Sequence, residues 1–162
     1  MNLREAGTRD HPAIDTLVRT AYFEFADRLD AADWEKMRAS LAVANLLHLG
    51  ATLLVAEAEG RIAGSVAYHP PGNSDPNIFP REWASIRALA VDPVARGRGL
   101  GRRLTEACIA RARTDRAPCI GLHTSEAMNV ARGLYERMGF AVDGELPPRF
   151  GLRYWRFRKD LA

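Results

Sequence analysis

The hydrophobic positions of the chain recur at helical spacing in four stretches, and each stretch predicts a helix. These helices run from His11 to about Ala26, from Ala32 to Leu49, from Leu100 onward and from Met128 to Met138. Asp10-His11-Pro12 predicts the start of the first helix, because it combines a capping residue with proline in the first turn. Gly50 and Gly139 are predicted to end the second and the fourth, since glycine readily takes the conformation that follows a helix.

Apolar runs bounded by turn residues predict the strands of a sheet. They cover Leu3 to Ala6, Thr52 to Glu57, Arg61 to Tyr68, Trp83 to Val91, Cys119 to Thr124, Phe140 to Glu145 and Arg153 to Phe157. Glu59-Gly60 predicts a hairpin turn, and Leu146-Pro147-Pro148 is predicted to join the last two strands. The order of elements predicts an α/β (α+β) fold: a mixed central sheet of about seven strands, about four helices on its two faces, and two parallel crossovers in the second half.

One stretch, Arg96-Gly97-Arg98-Gly99-Leu100-Gly101, lies between a predicted strand and a predicted helix. Its alternate glycines allow positive φ and let a ligand approach the backbone N–H groups. The first turn of the following helix adds unpaired N–H groups and the positive end of the helix dipole, which suits a diphosphate. The long predicted loop from Pro70 to Pro80 is a second candidate border of a site.

Two other glycine-rich phosphate loops do not fit this spacing. A kinase-type P-loop ends in Gly-Lys-Ser/Thr, and the stretch contains no lysine. The dinucleotide fingerprint Gly-x-Gly-x-x-Gly needs a final glycine where the chain has Arg102, counted from Gly97, or Leu104, counted from Gly99. A diphosphate loop of another kind and a plain strand-to-helix connection both stay open on the glycines alone.

Length and composition restrict the class of protein further. The 162 residues, 47% hydrophobic and 27% charged, predict a single globular domain over 1–162. Lys36 and Lys159 are the only lysines, so arginine dominates the cationic side chains, which suits phosphate or carboxylate ligands. The net charge of only +3 argues against a nucleic-acid partner for a group of four arginines, Arg96, Arg98, Arg102 and Arg103.

We expect a cytoplasmic protein with no membrane partner and no bound metal. The first residues contain no basic segment followed by an apolar stretch, as a signal peptide would. The uncharged run from Ala39 to Ala56 is interrupted by polar residues and glycine, and a helix end followed by a strand explains it better than a membrane span. Cys108 and Cys119 provide neither a disulfide framework nor a paired metal spacing.

Two stretches together resemble a known family. Leu89-Ala90-Val91-Asp92-Pro93, followed by Arg96-x-x-Gly99-x-Gly101 and a helix, is similar to the acetyl-CoA signature of the GCN5-related N-acetyltransferases (GNAT). Asn129 with Leu134-Tyr135-Glu136-Arg137-Met138-Gly139-Phe140 resembles the later helix motif of that family. The element order matches the family from Leu3 to Leu161, so the resemblance implies a GNAT-like fold with splayed parallel strands at the cofactor cleft.

The resemblance implies an enzyme, an N-acetyltransferase with acetyl-CoA as cosubstrate. Backbone N–H groups of the glycine loop would bind the pyrophosphate of CoA, and the edge of the preceding strand would pair with the pantetheine arm. Main-chain amides near Leu89 would polarise the thioester carbonyl. The implied cofactor-binding residues are Leu89, Ala90, Val91, Arg96, Gly97, Arg98, Gly99, Leu100, Gly101, Arg102, Asn129 and Tyr135.

Tyr135 matches the tyrosine with which family members protonate the departing thiolate, and a core tyrosine whose hydroxyl merely finds a partner is the alternative. An acceptor amine with a pKa near ~10.4 must lose a proton before it attacks. The family often places a glutamate on the strand before the loop, but Trp83 to Val91 contains no acid. His123 and Glu82 are therefore the candidate bases, with Glu126 as a further candidate and a water chain as the alternative.

By the same resemblance, the acceptor is a primary amine of a small molecule or peptide that attacks the thioester directly. The first two helices, the loop before the central strand and the last hairpin would form its site. Candidate residues there are Tyr22, Phe23, Trp34, Trp83, Phe150, Tyr154, Trp155, Glu24, Asp27 and Asp30. The sequence does not identify the acceptor. A non-enzymatic acyl-CoA-binding sensor of the same fold is the alternative function, and a homodimer is expected at family level only.

Overall fold

A computed structural model describes residues 1–161 and shows seven strands in one sheet together with five α-helices. The strands are β1 (Asn2–Glu5), β2 (Thr52–Ala58), β3 (Arg61–His69), β4 (Ala84–Val91), β5 (Cys119–Ser125), β6 (Ala141–Arg149) and β7 (Leu152–Asp160). The helices are α1 (His11–Tyr22), α2 (Ala31–Ser40), α3 (Val43–His48), α4 (Leu100–Thr114) and α5 (Asn129–Arg137). The predicted mixed sheet of seven strands is confirmed.

The strand order across the sheet is β1-β2-β3-β4-β5-β7-β6. Within the described chain, β4 and β5 form the one adjacent parallel pair, and α4 connects them. α5 leads from β5 to β6, which runs parallel to β5 but is separated from it by the antiparallel strand β7. The second of the two predicted crossovers therefore skips a strand.

Three predicted boundaries are wrong. The second helix is interrupted at Ala42 (φ −62°, ψ 143°), because the Asp15 carboxylate accepts the N–H of Val43 (2.8 Å) and starts a new helix there. The first helix ends at Tyr22 and continues as a 3-10 helix over Phe23–Arg28. β6 extends through Pro147 and Pro148, which an edge strand tolerates, and the turn to β7 lies at Phe150 and Gly151, both at positive φ.

The sheet separates two apolar layers. α4 and α5 pack on one face, where Leu104 and Cys108 are fully buried, and α1, α2 and α3 pack on the other, where Ile14 is buried. Gly64 of β3 allows α4 to approach closely, since a Cβ at this position would lie 2.9 Å from Leu104 Cδ1. The closely packed α4 fixes the direction in which its N-terminus points.

Leu104→Ala is expected to lower the free energy of unfolding by about 2 to 5 kcal/mol, because it leaves a cavity between α4 and the sheet that neither element can close. Urea denaturation measures the change. Arg113→Ala on the exposed side of the same helix is the matched control, with an expected change below about 0.5 kcal/mol. Equal effects of the two substitutions would contradict this packing of α4.

Candidate active site

β4 and β5 pair only at their first residues and then separate. Their register consists of Ala84 with Ile120 and Ser85 with Gly121. Beyond these pairs no strand of the described chain lies beside the β5-facing edge of β4, so the backbone from Ile86 to Val91 is available to an extended ligand. The predicted splay is therefore present, and it opens a cleft of about 630 Å³ with its solvent-filled mouth included.

A β-bulge in β4 lies where the two strands separate. Ala88 and Leu89 together face the single residue Val66 of β3. Ala88 has a φ of 56°, which is uncommon for a residue with a side chain, and a bulge of this kind turns backbone groups out of the ladder. The hydroxyl of Tyr22 donates to the carbonyl of Leu89 (2.9 Å) and holds the bulge against the end of α1.

The glycine loop after β4 presents open backbone. Gly97 and Gly99 have φ values of 81° and 77°, and a Cβ built at either position would meet no atom within 4 Å. The first hydrogen bond of α4 runs from the N–H of Arg103 to the carbonyl of Gly99 (3.1 Å), so the amides of the preceding turn have no helical acceptor. Leu100 is buried and can serve a ligand only through its backbone. This open cradle at a helix N-terminus fits a diphosphate.

The side chains of the loop and its surroundings differ in the contacts that they make. Arg96 donates to Glu24 (2.9 Å) and to the carbonyl of Ala21 (3.3 Å), and it thereby ties the loop to the end of α1. Arg102 pairs with Glu106 one turn along α4 (2.9 Å). Arg98 and Asn129, like Arg96 and Arg102, are exposed.

Tyr135 lines the cleft from α5. It is 6% exposed, and its ring packs edge-on against Phe140 with 5.7 Å between the ring centroids. Burial raises the pKa of the Tyr135 phenol, so the hydroxyl carries its proton at neutral pH and is a weaker acid than an exposed tyrosine. Its position in the cleft and the proton that it carries fit the role of a general acid.

The three candidate bases lie in different places. Glu82 is exposed and precedes β4, and the strand from Ala84 to Leu89 spans roughly 15 Å, so the structure does not bring Glu82 to the cleft. The carboxylate of Glu126 accepts the N–H of Arg153 (3.0 Å) and joins the end of β5 to β7. Of the three candidates, only His123 lines the cleft.

His123 is a neutral and weak base in this structure. Burial lowers its pKa to about 3, and the positive charges of Arg87 and Arg149 contribute to the same shift. Nη1 of Arg149 lies 3.4 Å from Nε2 of His123; because a guanidinium only donates, Nε2 accepts and the ring proton is assigned to Nδ1. An imidazole in this state does not take a proton from an ammonium group at neutral pH.

His123 is expected to reduce stability in mild acid. Its folded pKa of about 3 lies below the unfolded value near 6.5, so the unfolded chain binds the proton first and stability decreases as the pH falls from about 6.5 toward 3. Between about pH 7 and about pH 5 this one group lowers the free energy of unfolding by about 2 kcal/mol. Urea denaturation should show that His123→Asn, in which His69 is retained, loses less stability in acid than the wild type does. Identical losses would contradict the buried neutral state.

Only some of the aromatic residues expected at the acceptor site line the cleft. Tyr22, Phe150 and Tyr154 line the cleft. The others are placed elsewhere: Trp34 in a neighbouring pocket, Phe23 exposed, Trp83 in a buried cluster with Phe79, and Trp155 beneath Arg132 and Arg153. None of the three predicted acidic partners lines the cleft: Glu24 pairs with Arg96, Asp30 caps α2 and Asp27 is exposed.

Two arginines of the cleft, Arg87 and Arg149, are absent from the sequence-based site. Arg87 is the one charged residue of a strand that is apolar apart from Ser85, and a charged residue in such a strand is a usable signal because arginine is rarely buried without a partner. Arg149 follows two prolines at the end of β6, and no local pattern distinguishes it from a surface arginine.

Comparison with known proteins identifies the family. Residues 12–140 match the model of the acetyltransferase (GNAT) family. The uncharacterized N-acetyltransferase YhfO of Bacillus subtilis is 33% identical over 143 residues, which cover 88% of this chain and 91% of that protein. The chain belongs to the GNAT family, and it is an N-acetyltransferase, an acyltransferase of the class that uses acetyl-CoA.

Solved structures agree with this assignment. The ribosomal-protein-alanine N-acetyltransferase from Brucella melitensis is 26% identical with a TM-score of 0.71, and the match covers 99% of this chain and 100% of that one. The acetyltransferase yncA from Salmonella typhimurium, solved with its cofactor acetyl-CoA, has the same fold, with 23% identity, a TM-score of 0.73 and coverage of 100% and 94%.

Two kinds of feature are absent from residues 1–161. These residues contain no group of three or more His, Cys, Asp or Glu side chains arranged to hold a metal ion. None of their helices combines the length and the apolar character needed to cross a membrane.

Proposed function

We propose that this enzyme transfers the acetyl group of acetyl-CoA to the primary amine of a small molecule or peptide in the cleft between β4 and β5. The observation that carries the proposal is the sequence of features along one connection: a free β4 edge, then the open cradle at Gly97 and Gly99, then the N-terminus of α4. Tyr135 faces the same cleft from α5.

In this proposal the backbone does most of the binding. The amides of the loop and of the first turn of α4 hold the pyrophosphate, with Asn129 at the start of α5 as a further donor. The edge from Leu89 to Val91 pairs with the pantetheine arm, and the bulge at Ala88 aims an amide near Leu89 at the carbonyl oxygen. Bound there, acetyl-CoA supplies a thioester that the acceptor amine attacks.

Two proton transfers accompany the reaction. Tyr135, which lines the cleft and carries its proton at neutral pH, gives that proton to the departing sulfur. The acceptor amine loses a proton, and no Asp or Glu of residues 1–161 lines the cleft to receive it. Because His123 is a weak base here, we assign this second proton to water reached through the open mouth.

Mass spectrometry of a primary-amine library incubated with the protein and acetyl-CoA tests the proposal. We expect one class of amine to gain the mass of one acetyl group, at a rate proportional to enzyme concentration and above that of an enzyme-free control. Transfer to none of the amines, together with tight CoA binding, would contradict the proposal and favour the acyl-CoA sensor, for which the missing carboxylate base is the supporting observation. A homodimer and a cytoplasmic location stay predictions.

A further inference from the structure

The cleft carries positive charge without matching negative charge. Arg87 reaches it from β4 and Arg149 from the end of β6, whereas no carboxylate of residues 1–161 lines it. The carboxylate that comes near Arg87 is Asp75 in the loop between β3 and β4, with Oδ2 4.0 Å from Nη1, at the limit of an ion pair. The cleft is therefore suited to an anion.

Arg87, one of the two arginines of the cleft, is buried. Its side chain is only 9% exposed, and its Nε–H is buried without a hydrogen-bond partner in residues 1–161. Burial lowers its pKa, the charge of Arg149 lowers it further, and Asp75 only partly opposes the shift. An unfilled buried donor on a charged group costs free energy, and an acceptor that pairs with it recovers that cost.

Arg149 faces the same space but is held by uncharged groups. Its Cζ atom lies 5.1 Å from the ring centroid of Phe150 and 6.0 Å from that of Tyr154, and its Nη1 contacts Nε2 of His123. These contacts orient the guanidinium without neutralising it, since His123 is uncharged at neutral pH. Its remaining N–H donors are available to a ligand.

The pyrophosphate of CoA is not placed to be this anion. Arg87 precedes Val91 by four positions in β4, which is ~13 Å of strand, and the glycine loop follows Val91. Arg87 is therefore farther from the glycine loop than Leu89 is. Tyr22 and Tyr154, from the elements expected to form the acceptor site, line the same part of the cleft.

We propose that the acceptor is a small primary amine that carries a carboxylate, of the amino acid type, and that Arg87 and Arg149 bind this carboxylate. The planar fork of an arginine matches a carboxylate with two parallel hydrogen bonds. A polyamine would instead bring further positive charge beside two arginines, which is unfavourable. This inference rests on the proposed function, because it names the substrate class of the same site.

Matched pairs of probes test the proposal with two readouts. The probes are the common amino acids and β-alanine, each paired with its carboxamide, which keeps the amine and removes the negative charge. Calorimetry measures binding to the CoA-saturated protein, and mass spectrometry measures kcat/KM for acetyl transfer. We expect at least one acid to exceed its carboxamide by about 10-fold or more in both readouts, as the loss of a charge-assisted hydrogen bond predicts.

Arginine variants show whether the cleft causes this preference. Arg87→Met should reduce the ratio of acid to carboxamide to near unity, mainly by weakening the acid. Arg149→Gln, at the end of the edge strand β6, gives the same test if Arg87→Met does not fold. Arg153→Gln, an exposed arginine of the same hairpin that pairs with Glu145, is the matched control and should leave the ratio unchanged.

The outcomes separate the two proposals. Acetyl transfer without a preference for the acid, or with a preference that survives both cleft variants, overturns the carboxylate site and leaves the proposed function standing. Selective binding of an acid, lost in the variants but without transfer to any amine, overturns the proposed function and leaves the carboxylate site standing. Absence of both binding and transfer overturns both.

Discussion

Replacing Tyr135 with phenylalanine is expected to lower kcat for acetyl transfer by about 100-fold to 10,000-fold, the range that general acid catalysis contributes. The substitution removes one hydroxyl, and the ring that packs against Phe140 remains. Because the thiolate then leaves without a proton from the enzyme, the loss falls on the chemical step. The dissociation constant of acetyl-CoA, measured by calorimetry, should change by no more than about tenfold, since a lost neutral hydrogen bond contributes ~0.5 to 1.5 kcal/mol.

Tyr68→Phe is the matched control for this prediction. Tyr68 is buried like Tyr135, but its hydroxyl donates to Asp115 (2.7 Å) away from the cleft. Its substitution should reduce stability slightly and leave kcat unchanged. Steady-state kinetics of the two variants decide the matter, and an unchanged kcat for Tyr135→Phe would exclude Tyr135 as the acid.

Gly99→Asp should weaken acetyl-CoA binding by about 100-fold, because it places a negative charge in the diphosphate cradle at a distance where like charges repel by a few kcal/mol. Aspartate adopts positive φ more readily than most residues, so the conformation at Gly99 (φ 77°) is disturbed little. Calorimetric titration of acetyl-CoA measures the effect.

Gly72→Asp is the matched control, because it places the same side chain at a positive-φ glycine outside the loop that is proposed to bind the pyrophosphate. Gly72 also has a positive φ (93°), and a Cβ added there would meet no atom within 4 Å, but it lies in the loop before β4, at the other end of that strand from the cradle. We expect the two variants to lose similar stability in urea and only Gly99→Asp to lose affinity. Equal affinity of both for acetyl-CoA would show that the pyrophosphate binds elsewhere.

The glycine loop and the helix that follows it were predictable from the sequence because their signals are local. The glycine spacing after β4 and the apolar periodicity of α4 fall within one short segment, and the structure places both as expected. The interruption at Ala42 was not predictable, since it depends on the Asp15 side chain of another helix. The position of the hairpin turn was likewise hidden, because two prolines resemble a turn but are tolerated in an edge strand.

The acceptor side depends on contacts between distant parts of the chain. Arg87 and Arg149 come from β4 and β6, and only the folded sheet brings them to one cleft. Glu82 was a candidate because it is close to β4 in sequence, but it lies at the wrong end of that strand. His123 has the expected position, yet its surroundings depress its pKa in a way that its identity alone does not indicate.

Amide hydrogen exchange with and without acetyl-CoA tests most directly whether the cofactor binds at the opening between β4 and β5. We expect slower exchange confined to the amides of Leu89 to Val91 and of Gly97 to Arg102, because the proposed binding mode pairs the pantetheine arm with the strand edge and the pyrophosphate with the loop. Slower exchange at another face of the sheet, with these two segments unchanged, would contradict the proposed site.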